Sequence, residues 1–330
     1  MVHFLGAKRM NMPRIFLLVL ALAFASPATA QTWPSKPVTI VVGSSPGGGS
    51  DNIARFLAEL LHERTGQKFI VENRPGASGS VATQWVARAA PDGYTVLLGT
   101  VLAAMNVHLF KQLGYDHVRD FTPVTTLATA AFVLVVNPEV VPVTSVAELT
   151  EYIRTHSDKI AYGGGSLPDV ASAFYFSLAG LRREQLTSIP YKGEIQALND
   201  LRGGRIHFTF LTSTFGVQQA RGGKLRALAI TSTKRTAAAP DIPTMAEAGL
   251  ANYDLVGWYA MFMPAKAPKD IAQKLAELCN ASMASEKGRE FLRTLAMDPK
   301  PSSPEDFAQF LNNETAKWGR LIKAAGIEPQ

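Results

Sequence analysis

The stretch from 43 to 51, GSSPGGGSD, contains the residues whose types and spacing come nearest to a known catalytic pattern. Gly43, Ser45 and Gly47 match G-x-S-x-G, in which the serine attacks an acyl carbon. That chemistry needs the amide after the serine to stabilise an oxyanion, and Pro46 has no N–H to donate. The last histidine of the chain is His207, far from its end. The pattern therefore disfavours acyl transfer, and a serine hydrolase using Ser45 is kept as an alternative.

The same loop fails the two common nucleotide-binding patterns. Gly43 and Gly48 have the spacing of a phosphate-binding loop, but Gly49 stands where the lysine is required. A dinucleotide fingerprint would need a glycine at Asn52. The loop does offer main chain, because consecutive amides at the start of a helix bind anions without a cationic side chain. A second glycine-rich turn at 74–80, RPGASGS, also leads into a helix, so we predict an anion site built from backbone amides.

Other reactive side chains give no recognisable site. Cys279 is the only cysteine, which excludes an intramolecular disulfide. Its helical spacing with Leu275 and Leu278 predicts a small buried apolar residue. The later histidines show no ligand-like spacing, and they stand at 62, 108, 117, 156 and 207. We therefore predict neither a metal site nor a cofactor.

The first thirty residues have the organisation of a secretory signal peptide. Three basic residues between 8 and 14 precede the apolar run 15–25, and the small residues Ala28-Thr29-Ala30 follow. The apolar run is about half the ~20 residues needed to span a membrane. We predict cleavage near Ala30 and a periplasmic location. Without this segment the formal charge falls from +6 to +3, with no basic stripe, so nucleic acid is not an expected partner.

Strands and helices alternate along the mature chain. The apolar runs at 38–42, 68–73 and 94–100 predict buried strands, and amphipathic helices follow the first two. Ser50 or Asp51 is the expected N-cap of the first helix. Such βα units give a parallel sheet with right-handed crossovers. After 121–138 the alternation begins again, and the chain ends in three helical stretches near 269–285, 287–295 and 304–325.

These patterns predict an α/β protein of two lobes, each a mixed or parallel sheet flanked by helices. The final helices lack a sheet of their own, so we expect them to pack on the first unit. That requires two chain crossings, near 122–134 and 247–258, which would form the hinge. We predict lobe 1 at 31–130 and 248–330, and lobe 2 at 131–247. Ligands bind at the carboxyl ends of strands in such sheets, where the glycine turns lie.

Several long blocks resemble one protein family, the Bug/TctC solute-binding proteins of tripartite tricarboxylate transporters. The similarity extends from about 33 to 326, which is nearly the whole mature chain. The blocks that carry it are WPSKPVTIVVGSSPGGGSDNIAR, GQKFIVENRPGASGSVA, APDGYTVLLGT, IPYKGEIQALNDLRGGRI, GKLRALAITSTKR and DIPTMAEAGL with GWYAMFMPAKAP.

This resemblance implies a type II-like periplasmic binding protein rather than an enzyme. Such a receptor closes its two lobes over a small organic acid and delivers it to the membrane permease subunits of the transporter. The acid would be a mono- or dicarboxylate, aliphatic or aromatic, and the receptor a monomer. A periplasmic receptor that signals to a regulatory partner is the remaining alternative.

The resemblance also implies which residues bind the solute. They lie on the two glycine turns of lobe 1, on the strand end nearby, and on two turns of lobe 2. The predicted ligand-binding residues are Ser44, Ser45, Gly47, Gly48, Gly49, Asp51, Gly76, Ala77, Ser78, Gly79, Thr100, Gly164, Gly165, Ser166, Tyr191 and Lys192.

The second lobe departs from the family pattern. The turn YGGGS at 162–166 is about two residues shorter than the usual one, and His207 and Leu211 replace aspartates that many relatives carry. Without those acids an amino-acid solute is disfavoured, and an apolar wall at Leu211 suits an aliphatic or aromatic carboxylate. Trp258 and Tyr259 are predicted to belong to the core rather than to the pocket.

Overall fold

The computed structural model describes residues 33–191 and 193–329. All its helices and strands lie in one compact unit that begins at Lys36. The predicted signal peptide at 1–30 and its cleavage point lie outside the described residues, as does Lys192. None of the helices within the described ranges is long and apolar enough to cross a membrane.

The strands join into a mixed sheet in the order β2-β1-β3-β9-β4-β7-β5-β6, and β8 and β10 both pair with β4. The pairs β1–β2, β1–β3, β5–β6 and β5–β7 are parallel, and the other pairs are antiparallel. The strands are β1 Val38–Val42, β2 Phe69–Asn73, β3 Thr95–Thr100, β4 Phe121–Val136, β5 Ala161–Gly164, β6 Thr187–Pro190, β7 Phe208–Thr212, β8 Arg226–Ile230, β9 Val256–Pro264 and β10 Met297–Pro299.

Helices follow most of these strands, as the alternating pattern predicts. The helices are α1 Gly49–Thr65, α2 Ser80–Ala87, α3 Leu102–Leu109, α4 Val146–His156, α5 Ser166–Ala179, α6 Glu194–Arg202, α7 Ser213–Arg221, α8 Lys269–Met283, α9 Glu286–Thr294 and α10 Pro304–Ala324. Three further short 3-10 helices lie at Ala77–Gly79, Ser157–Lys159 and Arg183–Gln185.

Strand β4 connects the two halves of the sheet. Its first part pairs with β9 as far as Ala131, and from Phe132 onward it pairs with β7. The chain returns to the first half between β8 and β9, where the amide of Leu255 donates to the carbonyl of Thr231. Helices α8 and α10 pack against β4, and α10 also contacts α3 and α5. The two-lobed α/β class predicted from the sequence is confirmed, and the residue boundaries of the lobes stay a prediction.

The hydrophobic core explains why β4 can serve both halves. Its residues alternate between two clusters: Phe132, Leu134 and Val136 join the large cluster, whereas Val133 and Val135 join the smaller one. A strand with both faces buried has a continuous apolar run rather than an alternating one. This is the pattern of the sequence from 130 to 136, AAFVLVV.

Candidate functional site

A cavity of about 360 Å³ opens where strands from both halves of the sheet end. Its polar wall comes from the helix starts and strand ends, and includes Ser50, Ser78, Thr100, Tyr191, Glu194, Thr209, Thr212 and Tyr259. Its apolar wall consists mainly of Val101, Leu102, Ala130, Phe132, Leu167, Pro168, Ala197, Phe210, Leu211 and Trp258. Beside it lies a cleft of about 730 Å³, and Ser50, Gly193, Glu194, Thr212 and Tyr259 line both spaces. No lysine, arginine or histidine lies among the described residues of the main cavity.

The first glycine loop presents the N-terminus of α1 to these spaces. The N-cap residue is Gly48, which corrects the expectation that Ser50 or Asp51 caps the helix. The amides of Gly49 and Ser50 make no hydrogen bond within the described part of the chain. Because α1 has 17 residues, its dipole adds partial positive charge to these free amides. The loop can therefore bind an anion with main-chain donors alone.

Asp51 holds this loop in place and is not part of the cavity wall. Its side chain is 2% exposed and accepts hydrogen bonds at 2.9 Å from the Gly47 amide, Arg55 Nε and Asn73 Nδ2. Burial alone would raise the pKa of Asp51, but the bonds from Arg55, Gly47 and Asn73 together lower it. These three bonds hold the Asp51 carboxylate inside the protein, and its contact with a ligand stays a prediction.

The second glycine turn has four consecutive residues with positive φ, from Gly76 at +135° to Gly79 at +83°. Ala77 and Ser78 adopt φ values of +44° and +51°, which are unfavourable for residues with a Cβ. The carbonyl of Ser78 is fixed by a 3.1 Å hydrogen bond from Asn106 Nδ2. Ser78 lies on the cavity wall, so the strained turn places its main chain where a solute would lie. Such strain is typical of a functional site.

The two glycine turns meet main chain to main chain. A Cβ added to Gly43 would lie 2.7 Å from Gly79 Cα, which leaves no room for a side chain. Next to this contact is a small recess of about 60 Å³ with both apolar and polar side chains on its wall. Ser44 Oγ and Asn106 Oδ1 are buried there and have no hydrogen-bond partner within the described residues. Asn106, on α3, was missed by the sequence analysis because nothing in its local pattern distinguishes it.

The turn after β5 repeats the construction of the first loop. The amide of Gly165 donates to Asp169 Oδ2 at 2.9 Å, and Ser188 Oγ donates to the other carboxylate oxygen at 2.7 Å. Gly164 and Gly165 lie on the cavity wall at the start of α5. Ser166 is the first residue of this helix, and its side chain is not among those that the structure describes.

Tyr191 contributes to the wall beside this turn. Its hydroxyl donates to Asp200 Oδ2 at 2.8 Å, so the ring is anchored at its far end. Burial and the neighbouring Asp200 raise the pKa of Tyr191 to about 12. The ring is therefore neutral at physiological pH and offers the cavity an uncharged surface.

Glu194 is an acidic residue of the wall that the sequence analysis did not single out. Its Oε1 accepts from the amide of Thr212 and its Oε2 from Thr212 Oγ1, both at 2.9 Å. Burial raises the pKa of the Glu194 carboxyl, and the two bonds from Thr212 oppose that shift. The sequence feature that could have identified Glu194 is its position two residues after the predicted ligand-binding residue Lys192, at the start of a helix that faces the cavity.

Tyr259 lies on the cavity wall, which corrects its prediction as a core residue. Its hydroxyl oxygen is 3.1 Å from where a Cβ on Gly49 would lie, and it has no hydrogen-bond partner within the described residues. The adjacent Trp258 is 1% exposed, and its indole N–H donates to Glu314 Oε2 at 3.1 Å. Trp258 therefore belongs to the core, as predicted, while its edge completes the apolar wall.

The structure separates the predicted site residues into three groups. Ser78, Thr100, Gly164, Gly165 and Tyr191 lie on the main cavity. Ser44, Ser45, Gly47, Gly48 and Gly49 line the adjoining cleft, and Gly79 lines the recess. Asp51, Gly76 and Ala77 lie on none of the three walls, and their contact with a ligand stays a prediction.

Comparison with known proteins gives consistent matches along the chain. The family model described as tripartite tricarboxylate transporter family receptor, TctC, matches residues 53–327. A UPF0065 protein of Bordetella pertussis is 32% identical over 321 residues, which are 96% of this chain and 98% of that protein. The solved structure of R. palustris Rpa4515 with adipate has a TM-score of 0.83 and 34% identity, covering 90% of this chain and 100% of that one. The periplasmic binding protein BugD has a TM-score of 0.80 and 32% identity, with coverage of 90% and 100%.

Proposed function

Because the chain belongs to the tripartite tricarboxylate transporter family of receptors, we propose that it captures a small organic carboxylate in the cavity between its two sheet halves. The observation that carries this proposal is the group of free main-chain donors at the cavity edge, namely the amides of Gly49 and Ser50 at the start of α1. The related Rpa4515, solved with adipate, supports a carboxylate as the solute.

Main-chain donors suit this task for a physical reason. A carboxylate that leaves water must find several hydrogen bonds, since an unpaired buried charge is very costly. Fixed amides at a helix start supply them without the entropy loss of ordering a long cationic side chain. The hydroxyl of Tyr259, beside Gly49, is a further donor in the same place. The carbon chain of the solute would then lie against Phe132, Phe210 and Leu211.

The proposed cellular role is the one expected of a receptor of this family. The protein is exported by the signal peptide, cleaved near Ala30, and acts in the periplasm as a monomer. After binding the solute it closes about β4 and the segment before β9, and it delivers the acid to the permease subunits in the membrane. No covalent chemistry is required for this role, and the Ser45 loop serves to bind rather than to react.

Thermal unfolding in the presence of carboxylates tests the proposal directly. A panel of mono- and dicarboxylates is compared with the corresponding primary amides, which have the same shape without the charge. At 100 times Kd a ligand stabilises the folded state by about 2.7 kcal/mol, which raises the Tm by about 5 °C for a chain of this size. If no acid of the panel raises the Tm, while neutral solutes do, the carboxylate proposal is wrong.

A pair of tyrosine variants then tests the location of the site. Tyr259→Phe removes one donor near the proposed carboxylate, and a hydrogen bond to a charged group contributes about 1.5–3 kcal/mol. We expect affinity to fall about tenfold or more. Tyr115→Phe is the matched control, because its buried hydroxyl makes no hydrogen bond within the described residues and lies away from the cavity. Equal affinities for the two variants would place the solute elsewhere.

A further inference from the structure

Glu194 is the single carboxylate on the wall of the main cavity, counted over the described residues. It also lines the adjoining cleft, so a solute that enters from the cleft passes it. No salt bridge pairs Glu194 with a lysine, arginine or histidine of the described chain. A negative group therefore lies in a cavity whose other polar features suit an anion.

The side chain of Glu194 is held in a fixed orientation. Each carboxylate oxygen accepts one hydrogen bond from Thr212, one from the amide and one from the hydroxyl, both at 2.9 Å. A carboxylate oxygen has room for a second donor, so each oxygen keeps an unused acceptor position. Glu194 is also the first residue of α6, where the helix dipole favours a negative charge. These features preserve an acceptor at the cavity wall.

The donors and this acceptor impose different demands on one solute. The amides of Gly49 and Ser50 favour an anionic group, whereas Glu194 favours a group that donates hydrogen bonds, and most of all one that carries positive charge. A second carboxylate brought near Glu194 would meet a like charge in a partly desolvated space, which costs several kcal/mol in comparable interfaces. An ammonium group would instead be attracted and would supply up to three donors.

We propose that the solute of this receptor carries an ammonium group as well as its carboxylate, and that Glu194 pairs with that ammonium. This inference rests on the proposed function, since it assigns the solute class to the same cavity. It reverses the expectation drawn from His207 and Leu211, which disfavoured an amino-acid solute. The acid that the sequence pattern lacks on β7 is supplied by α6.

Calorimetric titration of matched solutes tests the inference. Adipate, hexanoate, 6-hydroxyhexanoate and 6-aminohexanoate form one set of equal chain length, and glutarate, 2-hydroxyglutarate and glutamate form a second. In the wild-type protein we expect the amino member of at least one set to bind tightest. Glu194→Gln keeps the two bonds to Thr212, because the amide can accept from the Thr212 N–H and donate to its hydroxyl. This substitution should lower the affinity for the amino solute about 30-fold or more and change the affinity for hexanoate less than about threefold.

Glu184→Gln is the matched control, because it makes the same chemical change at an exposed glutamate. Lower pH provides a second readout. The pKa of Glu194 is raised by burial, so its charge is lost at a higher pH than for an ordinary glutamate, and affinity for the amino solute should fall with it. Tyr259, which faces Glu194 from β9, has its pKa raised by burial and stays neutral over that range.

Several results would overturn the inference. One is that a dicarboxylate or hydroxy acid binds as tightly as every amino counterpart. Another is that Glu194→Gln and Glu184→Gln change the affinity for the amino solute equally. A third is that the affinity for the amino solute rises as the pH falls. In each case some carboxylate still binds, and the receptor function is retained. If no carboxylate of any kind binds the wild-type protein, the proposed function fails together with the inference.

Discussion

Replacing Gly43 by alanine would push apart the two glycine turns that form the proposed anion site. The new methyl carbon would lie 2.7 Å from Gly79 Cα and 3.2 Å from its carbonyl oxygen. Carbon atoms in contact are normally about 3.5–4.0 Å apart, so the turns must separate by roughly 1 Å. Both contacts are with main chain, which cannot rotate away as a flexible side chain can.

The magnitude follows from two opposing effects. Overpacking of a well-packed contact costs typically about 1–3 kcal/mol. Alanine also restricts the unfolded chain, which returns about 0.4–1 kcal/mol where the native backbone tolerates it. Gly43 is not among the glycines with positive φ, so this gain applies. We therefore expect Gly43→Ala to lower the free energy of unfolding by about 1–2 kcal/mol.

Urea unfolding of the unliganded protein measures this effect. Gly222→Ala is the control, because Gly222 has φ −73° and a new Cβ would be no closer than 3.5 Å to its nearest neighbour. The control should be unchanged or slightly more stable. The carboxylate affinity of Gly43→Ala should fall as well, since displacement of the second turn moves Ser78. An unfolding free energy within about 0.5 kcal/mol of wild type, together with unchanged affinity, would refute the close approach of the turns.

Three further substitutions test the supports of the site. Glu314→Ala leaves the indole N–H groups of Trp258 and Trp318 without the acceptor they now share at 3.1 and 3.0 Å, so urea unfolding should show a loss of about 2–5 kcal/mol. Asp51→Asn should lower the free energy of unfolding at pH values above the pKa of an unfolded aspartate. The difference from wild type should shrink as the pH falls through the lowered pKa of Asp51 in the folded protein, and unfolding at about pH 3 and pH 7 would measure it. Gly165→Ala places a Cβ at φ +123° and 2.9 Å from a main-chain oxygen, so it should reduce both solute affinity and Tm.

The sequence predicts well those parts of the fold that depend on local patterns. The apolar run at 38–42 forms β1 within the predicted bounds, and the amphipathic pattern after the glycines forms α1. The three predicted C-terminal helices begin and end within two residues of α8, α9 and α10. Periodicity and glycine content are properties of neighbouring residues, so they can be recognised without knowledge of the tertiary structure.

The composition of the cavity wall depends on contacts between distant segments, and there the prediction was incomplete. Tyr259 lies in an apolar strand whose neighbours are buried, and only the approach of Gly49 shows that its hydroxyl faces the cavity. Glu194, on α6, was missed because its partner Thr212 is 18 residues away at the end of strand β7. Conversely, Asp51 stands in the loop with the right chemistry, but Arg55 and Asn73 already occupy its carboxylate.

The loop before α1 and the turn before α5 share one arrangement of main chain and carboxylate. In each of them an aspartate four residues downstream accepts a glycine amide at 2.9 Å: Asp51 that of Gly47, and Asp169 that of Gly165. The internal carboxylate fixes the turn, and the helix that starts there keeps its next amides for the cavity. Under the proposed function, the main chain would bind the solute carboxylate, and selectivity among solutes would depend on separate groups across the cavity, of which Glu194 is the charged one among the described residues.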